Sequence, residues 1–314
     1  MKKNKKIIIE SDCLGDTIAW VPIIDKYRQV NNYRITLACN YRDIFVKEYP
    51  ELLFVDKAGV QEGGHDIALT LSHFITDTDF KGEPIAKGLV PNMEFHKKDW
   101  RTTSLQQIAS DILDLPPEEV QSKVEVPDLE PSVIGKYVCI GTQSTIQNKY
   151  WNNPDGWQDV VDYLRGKGYN VVCIDQHRYY GHSDSNTWNT IPHGVIDKTN
   201  SGLDLWDRIN DLHHAEFFIG LGSGLSWLSW AVGTHTFMIS GFSDPFYEFQ
   251  SNITRISQDD INVCSGCFNN AKYPFERDNW NWCPEHIGTE REYECSKRIS
   301  SDTVIEHIEK WIQV

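Results

Sequence analysis

Two stretches in which short apolar runs alternate with helix-length segments, parted by a proline-punctuated break, constrain this chain more than any other feature. In the first stretch, residues 6–10 read as a buried strand. The turn Ser11-Asp12-Cys13-Leu14-Gly15-Asp16 then opens a helix over 17–30, whose Ile18, Val21, Ile24 and Tyr27 share one apolar face. Strand-like runs recur at 34–38, 52–55 and 66–71, with a helical stretch at 41–49. A helix over 104–115 stops before Pro116-Pro117, and the polar, proline-bearing segment 124–131 marks a boundary. The second stretch places strands at 137–140, 170–174, 217–221 and 236–239, and helices at 154–167, 204–214, 223–232 and 303–312. Strands that alternate with helices build parallel sheets covered on both faces, so the expected class is α/β with two Rossmann-like domains, 1–130 and 131–314. Two such halves are expected to leave a cleft, and ligands of these sheets bind beyond the carboxyl ends of the strands.

At 314 residues the chain is long enough for two cores of ordinary size. A formal net charge of −15 argues against nonspecific binding to nucleic acid or anionic membrane, both of which need a basic surface. No run approaches the ~18 apolar residues of a membrane span, and Ile7-Ile8-Ile9 is too short for a secretory leader. A soluble, cytoplasmic protein is expected. Eleven tryptophans and thirteen tyrosines suit either core packing or stacking on rings, and composition does not divide the two.

Three loops sit where chemistry is expected. Gly15-Asp16-Thr17 puts a carboxylate at a helix start beyond the first strand, where Asp16 serves either as a helix cap or as a general base. Gly220-Leu221-Gly222-Ser223-Gly224-Leu225-Ser226 follows a strand and opens a helix. Its backbone amides suit a diphosphate, although it has neither the lysine of a P-loop nor the dinucleotide fingerprint. The third loop runs from Gly141 through Thr142 and Ser144 to Lys149-Tyr150-Trp151, where Lys149 is either a phosphate contact or a solvated surface lysine. His213-His214 stands at a helix end, where imidazolium would favour the dipole.

Four of the eight cysteines, Cys264, Cys267, Cys283 and Cys295, lie as C-x2-C-x15-C-x11-C in one aromatic, turn-rich stretch. That spacing fits a tetrahedral metal site better than two disulfides in a reducing compartment, and thiolate chemistry alone would favour zinc. Four thiolates leave no open coordination position, so the ion would be structural. Cys13, Cys39, Cys139 and Cys173 are scattered, three of them in apolar runs, and all four read as small buried hydrophobes.

The order of these features resembles one family. Gly15-Asp16 after a first strand, Lys149 before Trp151, and a Gly222-Ser223-Gly224-Leu225 turn ahead of Trp227-Leu228-Ser229-Trp230-Ala231 are similar to the bacterial autotransporter heptosyltransferases. So are Cys264-Ser265-Gly266-Cys267-Phe268-Asn269, Trp282-Cys283-Pro284 and Cys295-Ser296-Lys297. The family is related to the lipopolysaccharide heptosyltransferases, which have a GT-B fold, and the likeness covers nearly the whole chain. It implies inverting transfer of heptose from ADP-heptose to serine hydroxyls of a protein, and assembly into a homo-oligomer. Carried over by motif, Asp16 is the catalytic base and Lys149 contacts the sugar diphosphate. Gly15, Thr17, Thr142, Ser144, Gly222, Ser223, Gly224 and Leu225 line the donor, and the four cysteines (264–295) hold structural iron, with zinc as the alternative and no catalytic metal.

Two further readings remain beside it: a GT-B transferase with another nucleotide sugar and a glycan or modified nucleobase as acceptor, and a non-catalytic, metal-stapled nucleotide-sugar-binding protein. A nucleotide-sugar epimerase would need a full dinucleotide fingerprint and a Tyr-x-x-x-Lys pair, and neither stands in the expected context.

Overall fold

The computed structural model describes residues 3–57, 68–71, 99–182, 187–199, 204–276 and 278–313. The chain divides into two compact units, Met1–Glu125 and Val126–Val314, so the division falls five residues ahead of the expected 130/131 boundary.

The first unit carries β1 (Asn4–Ile9), α1 (Leu14–Asn31), β2 (Arg34–Ala38), β3 (Leu52–Val55), β4 (Ala68–Leu71) and α2 (Leu105–Ile112). Its sheet is parallel in the order β3-β2-β1-β4, with Ile7 paired to Leu37 on one side and Leu69 on the other. Central strands of parallel sheets are covered on both faces, and Ile7, Ile9, Ile35 and Leu37 are accordingly almost wholly buried. So is the first half of α1, from Gly15 to Ile24, which is wrapped rather than one-sided. Trp20 donates its indole N–H to the Leu105 carbonyl (2.7 Å), tying α1 to α2.

The helix expected at 41–49 is instead a 3-10 turn, Arg42–Ile44, followed by a turn in which the Glu48 N–H donates to the Phe45 carbonyl (3.1 Å). Tyr41 before it is left-handed (φ 57), and the Ile44 carbonyl is drawn away by the Glu125 N–H (2.8 Å), so the one i→i+4 bond, from the Tyr49 N–H to the Phe45 carbonyl (2.9 Å), is not extended into a helix. Of the strand expected at 66–71, residues 66 and 67 lie outside the described residues.

The second unit carries β5 (Tyr137–Ile140), α3 (Gly156–Gly166), β6 (Asn170–Cys173), β7 (Tyr179–His182), β8 (Thr187–Thr190) and β9 (Ile196–Asp197). It continues through α4 (Leu205–His213), β10 (Phe218–Leu221), α5 (Gly224–Val232), β11 (Thr236–Ile239), β12 (Ile253–Ile256), the single turn α6 (Glu294–Lys297) and α7 (Ser301–Ile312). Six strands form a parallel sheet in the order β12-β11-β10-β5-β6-β9, while β7 and β8 pair separately as an antiparallel ribbon.

Val138, Ile140, Val171, Ile219, Phe237 and Ile239 form its core with Val160, Leu164, Val304 and Ile308. Each such fully buried aliphatic side chain contributes about 1.5–3 kcal/mol. A seam joins α3 and the loop before it to α7 and the loop before it: Trp151 donates its indole N–H to the Ile299 carbonyl (2.9 Å), Tyr163 its hydroxyl to Glu309 (2.9 Å), and Ser301 its hydroxyl to Asp159 (2.7 Å). Among the described residues no helix is long and apolar enough to cross a membrane.

Candidate functional site

In the first unit the sheet order runs outward from β1 toward β2 and β3 on one side and to β4 on the other, so the chain reverses direction beside β1. Ligands of such sheets bind beyond the carboxyl ends of the strands at a switch point of this kind. Asp16 follows the carboxyl end of β1, two residues inside α1 and largely buried. It is not the helix cap. Cys13 holds that position without a side-chain bond, and the Ser11 hydroxyl donates to Asp16 Oδ2. Thr17 returns its hydroxyl to the Cys13 carbonyl (3.2 Å), and both Gly15 and Thr17 are buried.

The loop that presents Asp16 is gripped from outside. Lys57 Nζ donates to the carbonyls of Glu10 (2.8 Å) and Ser11 (3.1 Å) and pairs with Asp12 Oδ1 (2.7 Å), which also accepts from Asn40 (2.7 Å). Loops beyond β1, β2 and β3 therefore meet at Asp12. Cys13 is exposed, unlike the buried Cys39, Cys139 and Cys173, because a helix-capping position at a loop faces solvent.

In the second unit the switch point lies between β5 and β10. The loops beyond these strands touch, since a Cβ on Gly141 would stand 3.0 Å from Leu225 Cδ1. Asp175, at the end of β6, accepts from the Thr142 N–H (2.7 Å), the Thr142 hydroxyl (2.8 Å) and the Gln143 N–H (3.2 Å). Burial raises its pKa, and the bonds from Thr142 oppose that rise. Thr142 thus spends its donors on Asp175, and the buried Ser144 follows it in the same loop.

Gly222, Ser223, Gly224 and Leu225 are all partly accessible. Ser223 caps α5 by position only, with no side-chain bond to the helix, so the first-turn amides of Gly224 and Leu225 have no intrahelical acceptor. Such a turn favours an anion.

Behind the turn lies a buried pair that sequence reasoning missed. Glu248 accepts from Arg255 (2.7 Å) and from the Ser243 hydroxyl (2.7 Å), and Arg255 also donates to Ser240 (3.1 Å). A Cβ on Gly222 would stand 2.9 Å from Glu248 Oε1, so the carboxylate requires glycine there. Asp244 nearby has its pKa raised by burial, against the pull of Arg255.

None of the eight cysteines is paired in a disulfide. In the candidate metal segment, a hydrogen bond with Cys267 and then burial push the Cys264 thiol well up. Burial raises Cys283 and Cys295, with the charge of Cys264 adding to both and that of Cys283 adding to Cys295.

Among the described residues, Cys264, His286 and Glu294, rather than the four cysteines, bring one ligand atom each within 4.8 Å of one another. His286 was not anticipated, although its place three residues after Cys283 was a readable signal. Glu294 is already engaged: Arg291 Nε donates to it (2.7 Å) and holds its pKa down to about 2, and it accepts from the Cys264 N–H (3.1 Å). Among the described residues, the group gathered within metal-ligand reach is therefore one thiol, one imidazole and one carboxylate, a set that suits a metal ion, and it does not include Cys267, Cys283 or Cys295.

This segment is seated against the loop beyond β11. Gly266 N–H donates to the Gly241 carbonyl (2.9 Å) and Phe268 N–H to the Phe242 carbonyl (3.1 Å). Phe242, Phe268, Phe275 and Trp282 pack as one aromatic cluster, and Lys149 Nζ stands 5.1 Å from the centre of the Phe242 ring. Lys149 ends a 3-10 turn, Gln147–Lys149, and is partly accessible. His213 departs from expectation: burial, then the charge of His214, lowers its pKa and favours the neutral ring at the end of α4.

No protein-family model matches the chain. It is 36% identical over 296 residues to the autotransporter heptosyltransferase BAHTCr of Citrobacter rodentium, covering 93% of this chain and 66% of that protein. It is 35% identical over 309 residues to the autotransporter heptosyltransferase Aah of Escherichia coli, covering 96% of this chain and 73% of that protein. The crystal structure of TibC, an iron-containing dodecameric glycosyltransferase of enterotoxigenic E. coli, superposes with a TM-score of 0.87 at 31% identity, covering all of this chain and 78% of that one. TibC has also been solved with ADP-D-beta-D-heptose, and that structure gives a TM-score of 0.85. A more distant relative, 27% identical over 306 residues, is the inactive autotransporter heptosyltransferase BimC of Burkholderia thailandensis.

Proposed function

The chain belongs to the autotransporter heptosyltransferase family, a class of glycosyltransferases, and on that premise we propose that it is a GT-B enzyme moving heptose from ADP-heptose to a protein hydroxyl, serine above all. The observation that carries this reading is the Gly222-Ser223-Gly224 turn. It presents first-turn amides of α5 beside the Gly141 loop at the β5/β10 switch point, as a diphosphate requires.

The second unit takes the donor, with the diphosphate at that turn and at Lys149, and Thr142, Ser144 and Leu225 along its edge. The first unit takes the acceptor, with Gly15 and Thr17 framing Asp16. Asp16 removes the proton from the acceptor hydroxyl, whose oxygen attacks the anomeric carbon from the face opposite the diphosphate. The bond from that carbon to the phosphate oxygen breaks, ADP leaves, and the configuration inverts. Negative charge grows on the departing diphosphate, where Lys149 and the helix amides stabilise it.

Cys264, Cys267, Cys283 and Cys295 hold one metal ion, iron on the likeness to TibC and zinc as the alternative. When bound it staples a segment whose regular structure, among the described residues, is otherwise only a 3-10 turn and one turn of helix. A homo-oligomer is part of the same proposal, supported by the dodecameric TibC.

Asp16→Asn tests the chemistry: turnover should fall by about 10²–10⁴-fold with ADP affinity retained. Full activity in that variant would remove Asp16 from the mechanism. Elemental analysis should find about one metal ion per chain, and titration of free thiols with no metal would remove the centre. The inactive relative favours one second reading, a nucleotide-sugar-binding protein without turnover. It predicts ADP binding with no mass gain on any acceptor.

A further inference from the structure

The short turn that ends in Lys149 is fastened to the cysteine segment residue by residue. Gln147 N–H donates to the Trp280 carbonyl (3.0 Å). The Asn148 side chain is buried, with Oδ1 lying 3.5 Å from Cys295 Sγ. Lys149 itself stands over Phe242, a ring that stacks on Phe268 within the segment at 4.8 Å. Asn152 completes the attachment, donating to Ser296 Oγ (2.9 Å) and back to the Gln147 carbonyl (3.1 Å).

We propose that Asn148 is a positioning residue linking a metal-site cysteine to Lys149, so that one buried amide serves the metal centre on one side and holds the diphosphate-binding lysine on the other. The inference rests on the readings of Lys149 and of Cys295 as a metal ligand given above.

A thiol donates its S–H to the amide oxygen, whereas a thiolate has no hydrogen and can only accept. Asn148 meets both cases. A half-turn of its terminal amide exchanges Oδ1 for the Nδ2–H donor without moving the backbone, because the two ends have nearly the same shape. An N–H donated to a ligand sulfur is the kind of outer contact that tunes and orients a metal ligand, and its loss typically costs 10–100-fold in metal affinity. Asn148 is adjacent to Lys149 in a turn of three residues, so the lysine backbone cannot relax independently of it. A residue that merely filled space would affect all nucleotide binding alike. One that positions Lys149 affects only ligands with the phosphate that Lys149 reaches.

The test compares ADP with AMP as calorimetric probes on metal-loaded protein, alongside the rate of metal loss to a chelator. Asn148→Ala should weaken ADP binding about five- to tenfold, as for a lost charge-assisted contact, and leave AMP within about twofold. Metal loss should accelerate. Asn148→Asp, equal in size, replaces the donor end with a carboxylate and should give the same pattern; it serves if the alanine variant does not fold. In a Lys149→Ala background, Asn148→Ala should cost no further ADP affinity.

Parallel weakening of ADP and AMP, additive losses in the double variant, or unchanged metal release would overturn the inference. If Lys149→Ala abolishes the preference for ADP while Asn148→Ala keeps it, the inference falls alone. If Lys149→Ala keeps the preference, the assignment of Lys149 falls and takes this inference with it.

Discussion

Replacing Gly241 with alanine wedges a methyl group between the loop beyond β11 and the metal segment. The added Cβ would lie 2.6 Å from the Cys295 carbonyl oxygen, 2.7 Å from its carbonyl carbon and 2.8 Å from its Cβ. The Gly241 backbone is not left-handed, so sterics alone oppose the change. Ordinary contact would require a retreat of about 0.7 Å by the backbone of a proposed metal ligand, and overpacking of this kind costs about 1–3 kcal/mol. The hydrogen bond from Gly266 N–H to the Gly241 carbonyl (2.9 Å) lies in the path of that retreat, and its loss adds about 1 kcal/mol.

The total of about 2–4 kcal/mol corresponds to a fall in Tm of about 5–15 °C for a unit of this size. Scanning calorimetry of metal-loaded protein reads it, with chelator-driven metal release as the second measure. Gly166→Ala is the control of opposite sign. No atom lies within 4 Å of its added Cβ, at the end of α3, so alanine should stabilise by about 0.5–1 kcal/mol. A Gly241→Ala protein that melts within about 2 °C of the parent and holds its metal as long would refute the wedge.

At Gly222, alanine meets Glu248 Oε1 at 2.9 Å, a carboxylate fixed by Arg255 and Ser243. The turn must yield, and ADP affinity measured by calorimetry should drop about tenfold with little change in Tm. Lys57→Met removes the ammonium that holds the Glu10 and Ser11 carbonyls, so turnover should fall about tenfold while ADP binding is unchanged. His235 is held between Phe237 and Trp311, and burial lowers its pKa below the ordinary 6.5. Its neutral form is the folded one. It therefore contributes stability above pH 6.5 that is lost as pH falls through the depressed value, and His235→Phe should flatten the acid side of a Tm-against-pH curve.

Regular features were legible because their physics is local. The strands at 137–140 and 236–239, the α5 turn, and the stop before Pro116 all follow from apolar runs bounded by glycine or proline. What escaped depends on partners distant in sequence. The strand β12 was hidden in a polar stretch because Arg255 belongs to it, a residue buried only through Glu248. The β7–β8 ribbon went unseen because its pairing joins two short runs rich in polar residues. Asp16 was rightly placed beyond the first strand, but its hydroxyl partner Ser11 and the Lys57 grip depend on loops that only the sheet order brings together. His286 and Glu294 join Cys264 only through the turns that fold residues 264–294 back on themselves, which no spacing in the sequence announces.

The seam between α3 and α7 also bears on how the second unit assembles. Trp151 and Ile299 are 148 positions apart, and Tyr163 and Glu309 are 146 apart. Closing a loop of that length costs about 4 kcal/mol of chain entropy, repaid only once the intervening sheet has brought the ends near. The seam should therefore close after the folding barrier. Loosening it through Trp151→Phe should speed unfolding and leave the folding rate nearly unchanged, which makes the seam the latch that sets how long the folded unit lasts.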